Sequence, residues 1–342
     1  MEGDLIEVRP KNKDELYYNA TIVSYQESSG TFTVCYEDNT EESGLFSSSM
    51  IVPSQRSSVF EDEFLKVVDG HMVINETFRR ARLLSFIGSP GIYQSAILFG
   101  DDGFDYETLA FDVDQAIILI LPIFLGVAND QITPSILLFG AGAGSIPMAL
   151  HSKECNMEVV ELSDKVLLAA FEHFGVPKED EKLVFHLEDA RHFSKEGKSF
   201  DIIIVDVADS KSEVDPQLEL PPAAFLEHGF FENVKKLMHE RSWVVYNVIA
   251  KRDKLLELLD TFPFTSIYIL AVDPNYVFMM SNVDIDIDHH DISRWCHDYK
   301  HMAYSVLEEV KNSSYYLENE ILLGWFTKQD FRTFLANENV LV

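Results

Sequence analysis

The chain has 342 residues, of which 46% are hydrophobic, enough for a large core and for two domains. Its 57 acidic and 27 basic side chains give a net charge of 27 − 57 = −30, which argues against general nucleic-acid binding and favours a basic partner. Three widely spaced cysteines form neither a disulfide framework nor a zinc site. With no signal-peptide pattern at the start, we expect a cytoplasmic location and leave a nuclear one open.

Residues 1–55 predict a small β-barrel that forms a separate domain. Short strands separated by polar turns are predicted at 5–8, 20–25, 31–36 and 49–52. The segments "YYNATIV", "GTFTVCYED" and the acidic turn "NTEE" follow one another in the order found in Tudor or agenet-type domains, which this region resembles.

The resemblance to Tudor domains implies an aromatic cage that holds a methylated lysine or arginine by cation–π attraction. Tyr17 or Tyr18 and Tyr36 stand at the matching positions. The partner of this domain would then be a methylated protein. The alternative is a structural barrel whose tyrosines pack in its own core.

Residues 56–128 predict a β-layer and a helix in front of a larger domain. Strands at 78–86, 91–99 and 105–109 are joined by glycine-containing turns, and the polar linker 53–58 precedes them. The apolar run 116–128 contains Pro122 and is too short to cross a membrane, so we expect a buried helix capped by Asp112 or Asp114.

The remaining residues, 129–342, begin with a strand at 136–139 that leads into Gly140, Gly142 and Gly144. Glycines with this spacing let the backbone turn tightly and approach a ligand, and Ser145 can cap the helix that follows. A dinucleotide fingerprint would need glycine where Ser145 stands. The pattern is instead typical of S-adenosylmethionine (SAM) sites.

Three further predicted strands lead to acidic residues. Glu161 ends the strand at 157–162, Asp189 and Ala190 follow the strand at 183–187, and Asp206 follows the strand at 200–205. Because ligands bind at the carboxyl ends of parallel strands, these residues predict one site in an α/β Rossmann-like fold. Each acid alone could instead cap a helix or face water.

Six segments between residues 75 and 285 resemble, in the same order, the carboxyl-terminal half of the methyltransferase-like 13 family. They read "FRRARLLSF", "SILLFGAGAGSIPMALH", "MEVVELSDKVLLAAFEHFG", "FHLEDARHF", "FDIIIVDVADSK" and "LPPAAFLEHGFFENVKKLMHERSWVVYNVIAKRD". The family consists of spermidine-synthase-like enzymes that methylate the N-terminal amine of translation elongation factor 1A. The resemblance implies a Rossmann-like class I methyltransferase with a preceding β-hairpin layer, SAM as cofactor and a protein amine as substrate.

The resemblance also assigns residues to the site. Gly140, Gly142 and Gly144 would flank the methionine part of SAM, Glu161 its ribose, and Asp189 with Ala190 its adenine, while Asp206 borders the active site. Pro221, Pro222 and Phe225 would form a wall of the acceptor pocket. We expect Asp206 or Asp209 to attract the amine and accept its proton, and Tyr246 or Asn247 to orient it.

Two other functions remain open. Asp206 and Asp209 form the Asp-x-x-Asp of polyamine aminopropyltransferases, but the glycine turn and the sequence at Tyr106 differ from the signatures of those enzymes. The other is a non-catalytic adaptor that keeps a relic of the methyltransferase fold.

Residues 284–291 offer metal-ligating types that alternate with isoleucine, as a strand end does, so we predict no metal site. A homodimer stays open.

Overall fold

The computed structural model describes residues 5–8, 18–26, 31–36, 39–45, 50–51, 57–74, 77–88, 92–118, 133–151, 155–208, 217–272, 274–283 and 325–336. The chain divides into two compact units. The first unit comprises Met1–Asp112, Gly142–Ser145 and Lys165–Val176, and the second comprises Val113–Ala141, Ile146–Asp164 and Pro177–Val342.

The first unit contains an antiparallel sheet of ten described strands. They are β1 (Leu5–Val8), β2 (Tyr18–Gln26), β3 (Thr31–Tyr36), β4 (Glu41–Leu45), β5 (Met50–Ile51), β6 (Ser57–Glu61), β7 (Leu65–Ile74), β8 (Thr77–Phe86), β9 (Tyr93–Gly100) and β10 (Gly103–Leu109). Their order is β10-β9-β8-β7-β5-β1-β2-β3-β4, with β6 paired to β7. Because β5 pairs with both β1 and β7, the predicted barrel strands and the predicted β-layer lie in one sheet.

Three strands of this sheet differ from the sequence prediction. The sequence predicts a turn at 39–42, but β4 begins at Glu41 and pairs with β3. The turn itself is confined to the residues around Asn39, whose φ is 62° and whose N–H donates to the Tyr36 carbonyl. Strands β6 and β7 are not predicted from the sequence, and β6 begins at Ser57, inside the predicted linker.

The second unit contains a mixed sheet of nine described strands. They are β11 (Ser135–Phe139), β12 (Asn156–Glu161), β13 (Leu183–Leu187), β14 (Phe200–Val205), β15 (Leu218–Leu220), β16 (Met238–Ala250), β17 (Ser266–Val272), β18 (Asn275–Ser281) and β19 (Trp325–Thr327). Their order is β13-β12-β11-β14-β16-β18-β17-β19, with β15 paired to β16. The first five strands in this order are parallel, and β18 and β17 run antiparallel to their neighbours.

Six helices are described. They are α1 (112–118), α2 (Ser145–His151), α3 (Asp164–His173), α4 (His228–Lys236), α5 (Arg252–Thr261) and α6 (Lys328–Ala336). A 3-10 turn at Ala223–Leu226 precedes α4. Among the helices that the structure describes, none has the length and apolar sequence that a membrane crossing requires. The predicted helix at 116–128 lies outside the described residues beyond residue 118, and so does the acidic segment at 284–291.

Each unit has its own apolar core. In the second unit, large aromatic side chains from the sheet and helices pack together, including the fully buried Phe139, Phe200, Phe231 and Phe278. In the first unit, Val166, Ala169 and Phe174 of the segment 165–176 pack against β7, β8 and β9. Because β13, β12, β11, β14 and β16 pair in parallel, their carboxyl ends lie along one edge of the second sheet.

Candidate functional site

Gly140 follows β11 at a point where a side chain has no space. Its φ is +96°, and a Cβ atom there would lie 2.0 Å from the carbonyl oxygen of Asp206. The Gly140 N–H donates to the Val160 carbonyl over 2.9 Å, and the Asp206 N–H donates to the Phe139 carbonyl over 3.0 Å. Glycine therefore lets the ends of β11, β12 and β14 meet at one edge of the sheet.

The turn continues through Gly142 and Gly144, which have φ values of +52° and +89°. Gly142 and Ser95 of β9 both belong to the first unit, and a Cβ added to Gly142 would lie 3.2 Å from the Ser95 hydroxyl. The Ser95 hydroxyl lies 3.4 Å from that of Ser145, which begins α2. Ser95 was not predicted, because a single serine in a strand gives no signal of its neighbour across the fold.

Glu161 ties the glycine turn to the end of β12. One carboxylate oxygen accepts the Ala141 N–H and the other accepts the Ser163 N–H, each over 2.9 Å. Burial raises the pKa of Glu161, and the N–H donors of Ala141, Ser163 and Leu162 oppose that rise. The structure therefore places Glu161, the residue predicted to bind the ribose, directly beside the turn.

Asp189 follows β13 and forms an ion pair with Arg191, which was not predicted. The Arg191 guanidinium lies 2.6 Å from one carboxylate oxygen of Asp189, and the Arg191 N–H donates to the other over 2.9 Å. These contacts lower the pKa of Asp189, with the Arg191 side chain as the largest cause. Ala190, the next residue, is buried, and its place beside an adenine stays a prediction.

Asp206, which follows β14, and Asn247, which lies within β16, form a polar pair. The Asn247 amide donates to the Asp206 carboxylate over 2.8 Å, and the Asn275 amide donates to the Asn247 carbonyl oxygen over 2.7 Å. Burial raises the pKa of Asp206, and the Asn247 bond opposes that rise. Asp209 lies outside the described residues.

The segment with two prolines packs beside this pair through Tyr246. Pro221 is buried, Pro222 and Phe225 are half-buried, and Phe225 stacks edge-on against Phe230 at 4.9 Å between ring centroids. The Tyr246 hydroxyl donates to the Phe225 carbonyl over 3.2 Å, and Tyr246 is fully buried. The Tyr246 hydroxyl therefore uses its proton to hold this segment, and a role of Tyr246 in orienting an acceptor stays a prediction.

The predicted aromatic cage is only partly described. Tyr36 is half-buried, packs against the small core around Phe32, and donates its hydroxyl to Glu42 over 2.6 Å. Tyr17 lies outside the described residues, and only the backbone of Tyr18 is described. Among the residues that the structure describes, no group of three His, Cys, Asp or Glu side chains is placed to hold a metal ion.

No protein-family model matches the chain. It is similar to the eEF1A lysine and N-terminal methyltransferase of Xenopus laevis, with 31% identity over 153 residues that cover 41% of this chain and 21% of the relative. The protein of the same name from Homo sapiens is 29% identical over 133 residues, which cover 35% of this chain and 18% of the relative. The similarity thus spans about a fifth of the length of these relatives.

The solved structure of a probable spermidine synthase from Corynebacterium glutamicum superposes on most of the chain. The TM-score is 0.58 at 18% identity, and the match covers 82% of this chain and 94% of that one. The chain has a spermidine-synthase-like fold. The prediction of a Rossmann-like α/β domain with a β-layer in front is thereby confirmed, and the Tudor-like barrel stays a prediction.

Proposed function

We propose that the chain is a SAM-dependent methyltransferase that acts on a protein amine. The contact of Gly140 with the strand end at Asp206, with Glu161 bound to the same turn, carries this proposal. Glycine at this turn lets the strand ends approach closely, and ligands of parallel α/β sheets bind at the carboxyl ends of the strands. Similarity to the eEF1A lysine and N-terminal methyltransferases of two vertebrates supports methyl transfer as the reaction.

The chain's own residues suit SAM. The backbone at Gly140, Gly142 and Gly144 would face the methionine part, Glu161 would accept the ribose hydroxyls, and Asp189 with Ala190 would border the adenine. SAM supplies an electrophilic methyl group, so the protein needs to provide little more than alignment of the acceptor. The carboxylate of Glu161 keeps acceptor capacity for the ribose after binding the backbone N–H groups of Ala141, Ser163 and Leu162, since each oxygen has two lone pairs.

Asp206 and Asn247 provide the acid–base chemistry. An ionised Asp206 attracts a cationic amine and then accepts its proton, directly or through water, and Asp209 is the second candidate for this role. Asn247 donates to Asp206 and fixes the carboxylate at the edge of the sheet. Pro221, Pro222 and Phe225 form the wall that confines the acceptor, and the Tyr246 hydroxyl holds that wall through the Phe225 carbonyl.

The net charge of −30 supports a basic protein as the substrate. Elongation factor 1A is the first acceptor to test, because it appears in the name of the relatives. The Tudor-like barrel, with Tyr36 and Tyr17 or Tyr18, would bind a methylated partner.

Labelled SAM, elongation factor 1A and a cell extract test the reaction, with mass spectrometry of the labelled protein and calorimetry of SAM binding. We expect Asp206→Asn to bind SAM normally and to lower turnover on the order of a hundredfold. The control is Asp253→Asn, an exposed residue of α5, which leaves turnover unchanged. Full turnover by Asp206→Asn would rule out Asp206 as the base. A wild-type protein that binds no SAM would favour the non-catalytic adaptor instead.

A polyamine aminopropyltransferase is the second candidate. The fold likeness to a probable spermidine synthase over 82% of the chain favours it. Calorimetry with SAM and with decarboxylated SAM separates the two reactions. Preference for decarboxylated SAM, with aminopropyl transfer to putrescine, would replace methyl transfer as the function.

A further inference from the structure

Two amide side chains stand in line behind the carboxylate of Asp206. Asn275, the first residue of β18, donates its amide N–H to Asn247 over 2.7 Å, and Asn247 donates to Asp206 over 2.8 Å. Strand β18 lies antiparallel to β16, and this pairing brings Asn275 near Asn247 from a segment 28 residues away in the chain. The three residues belong to the second unit.

The orientation of the Asn247 amide decides whether a donor or an acceptor faces the Asp206 carboxylate. An asparagine amide has a donor end and an acceptor end, and an ionised carboxylate can only accept. If the Asn247 oxygen lacked a donor, the amide could turn over and place that oxygen against Asp206. An acceptor in that place favours the protonated carboxyl group.

We propose that Asn275 is a positioning residue that fixes the amide of Asn247 and so keeps Asp206 in the ionised form that accepts the proton of the substrate amine. The inference rests on the proposed function, because it assigns Asn275 to the same reaction. Asn275 itself touches Asn247 and acts through it.

The surroundings of Asp206 make its ionised form depend on the amide of Asn247. Among the described residues, Asn247 is the one that donates a hydrogen bond to the Asp206 side chain. Burial raises the pKa of this carboxyl group, so its ionised form depends on the donor that opposes the rise. Asn247 is 5% exposed, and bulk water therefore offers little compensation for a wrongly turned amide.

Two substitutions separate positioning from packing. Asn275→Asp keeps the size of the side chain but can only accept, so it would draw the Asn247 N–H toward itself and turn the Asn247 oxygen toward Asp206. Asn275→Leu removes the donor without imposing the reversed orientation. Asn282→Asp and Asn282→Leu are matched controls, because Asn282 is exposed beyond the other end of β18.

The readout is the pH profile of kcat for methyl transfer. We expect the acid limb of Asn275→Asp to move to higher pH, with kcat on the order of tenfold lower in acidic buffer and nearly restored in alkaline buffer. Asn275→Leu shows a smaller move in the same direction, and the Asn282 variants show none. An equal loss of kcat at every pH would mean that Asn275 only packs, and would overturn the inference.

Titration of the Asp206 carboxyl by carbon NMR distinguishes this inference from the proposed function. The Asp206 signal is assigned by its loss in Asp206→Asn, and it is followed in the protein alone. A titration moved upward both in Asn275→Asp and in the uncharged Asn275→Leu supports the control of Asp206 by Asn275, even if the wild-type protein methylates nothing and the proposed function fails. An unmoved titration overturns the inference, whether or not methyl transfer occurs.

Discussion

Gly140 is the residue at which the backbone, rather than a side chain, determines the candidate site. Its positive φ is one obstacle to any other residue, and the 2.0 Å that would separate an added Cβ from the Asp206 carbonyl oxygen is another. The first obstacle is backbone strain, which costs about 1 to 2 kcal/mol for an alanine. The second is a collision with backbone, which cannot move without shifting β14.

We expect Gly140→Ala to lower the free energy of unfolding by at least about 3 kcal/mol, because both obstacles apply. Gly197→Ala is the matched control, since Gly197 has a φ of +72° and a Cβ added to it would meet no atom within 4 Å. This control should lose only the backbone strain, about 1 to 2 kcal/mol. Denaturant unfolding measures both, and equal losses would show that the close approach at Asp206 does not matter.

Glu158 in β12 is a buried carboxylate in contact with two lysines and a histidine. Its side chain is 6% exposed, the amino group of Lys195 lies 2.5 Å away, Lys198 is also in contact, and His186 lies at 2.8 Å. Burial would raise the pKa of Glu158, but the hydrogen bonds from these three side chains and the charge of Lys198 outweigh it, so the pKa is lowered below 4.5.

This lowered pKa makes the contribution of Glu158 to stability depend on pH. The contribution is complete above the ordinary pKa of 4.5 and is lost as the pH falls through the lower folded-state pKa. We expect Glu158→Gln to cost about 3 kcal/mol at neutral pH, with the difference from wild type shrinking in acid. The free energies of unfolding of the wild type and of Glu158→Gln, measured from neutral to acidic pH, test this prediction. Glu257→Gln, at an exposed carboxylate paired with Lys254, should cost less than about 1 kcal/mol. A pH-independent loss at Glu158 would contradict the linkage.

Single residues differ in how far the sequence reveals them. The glycine spacing and the acids after each strand predicted that Gly140, Glu161 and Asp206 would share one edge, and the structure brings them together there. Asn275 and Ser95 could not be predicted. Each reaches its neighbour through strand pairing or tertiary packing, and neither stands in a spacing pattern that one sequence displays.

At the scale of elements, the carboxyl end of α3 is held by two side chains of the first unit. The Arg82 guanidinium donates to the His173 carbonyl over 2.6 Å and binds Asp69, and the Tyr106 hydroxyl donates to the Phe174 carbonyl over 2.7 Å. Carbonyls at a helix end lack partners within the helix. The two side chains therefore complete the last turn of α3.

Arg82→Met should loosen the end of α3 and cost about 2 to 3 kcal/mol, since it leaves Asp69 and a helix carbonyl without their donor. Arg80→Met is the matched control, because Arg80 lies on the same strand, is 59% exposed and approaches Asp69 only to 4.0 Å. Hydrogen exchange of the α3 amides measures the effect. Similar exchange in both variants would show that Arg82 does not hold the helix.

The strands show why element prediction succeeds or fails. Predicted bounds match β1, β3, β13 and β14, which combine apolar and β-branched residues. Strand β4 reads as a turn because its sequence is EESGL, and pairing with β3 overrides that local preference. Strand β7 is interrupted in sequence by Asp69, Gly70 and His71, yet it pairs with β8 along its whole length, and Arg82 binds Asp69 across that pair.

For the whole molecule, the net charge of −30 sets how a partner approaches. A strongly acidic surface attracts a basic protein over distances of about 8 Å at physiological salt and less at higher salt.

We expect kcat/KM for a basic protein acceptor to fall on the order of tenfold between low and high salt, because association is steered by charge. The Kd for SAM should change much less, since a small cofactor is held by short contacts. Steady-state kinetics and calorimetry across the same salt series measure the two. A kcat/KM that ignores salt would contradict a basic substrate.

The outer strand β13 has a consequence for how copies of the protein behave in concentrated solution. In the part of the chain that the structure describes, β13 pairs with β12 alone, and its Val184 and Leu187 are 39% and 58% exposed. An open strand edge with exposed apolar side chains can pair with the same edge of another copy. Mutual repulsion between highly charged copies opposes that pairing. The acidity that favours a basic substrate therefore also gives the protein its colloidal stability, and that protection weakens in acid, where carboxylates lose their charge.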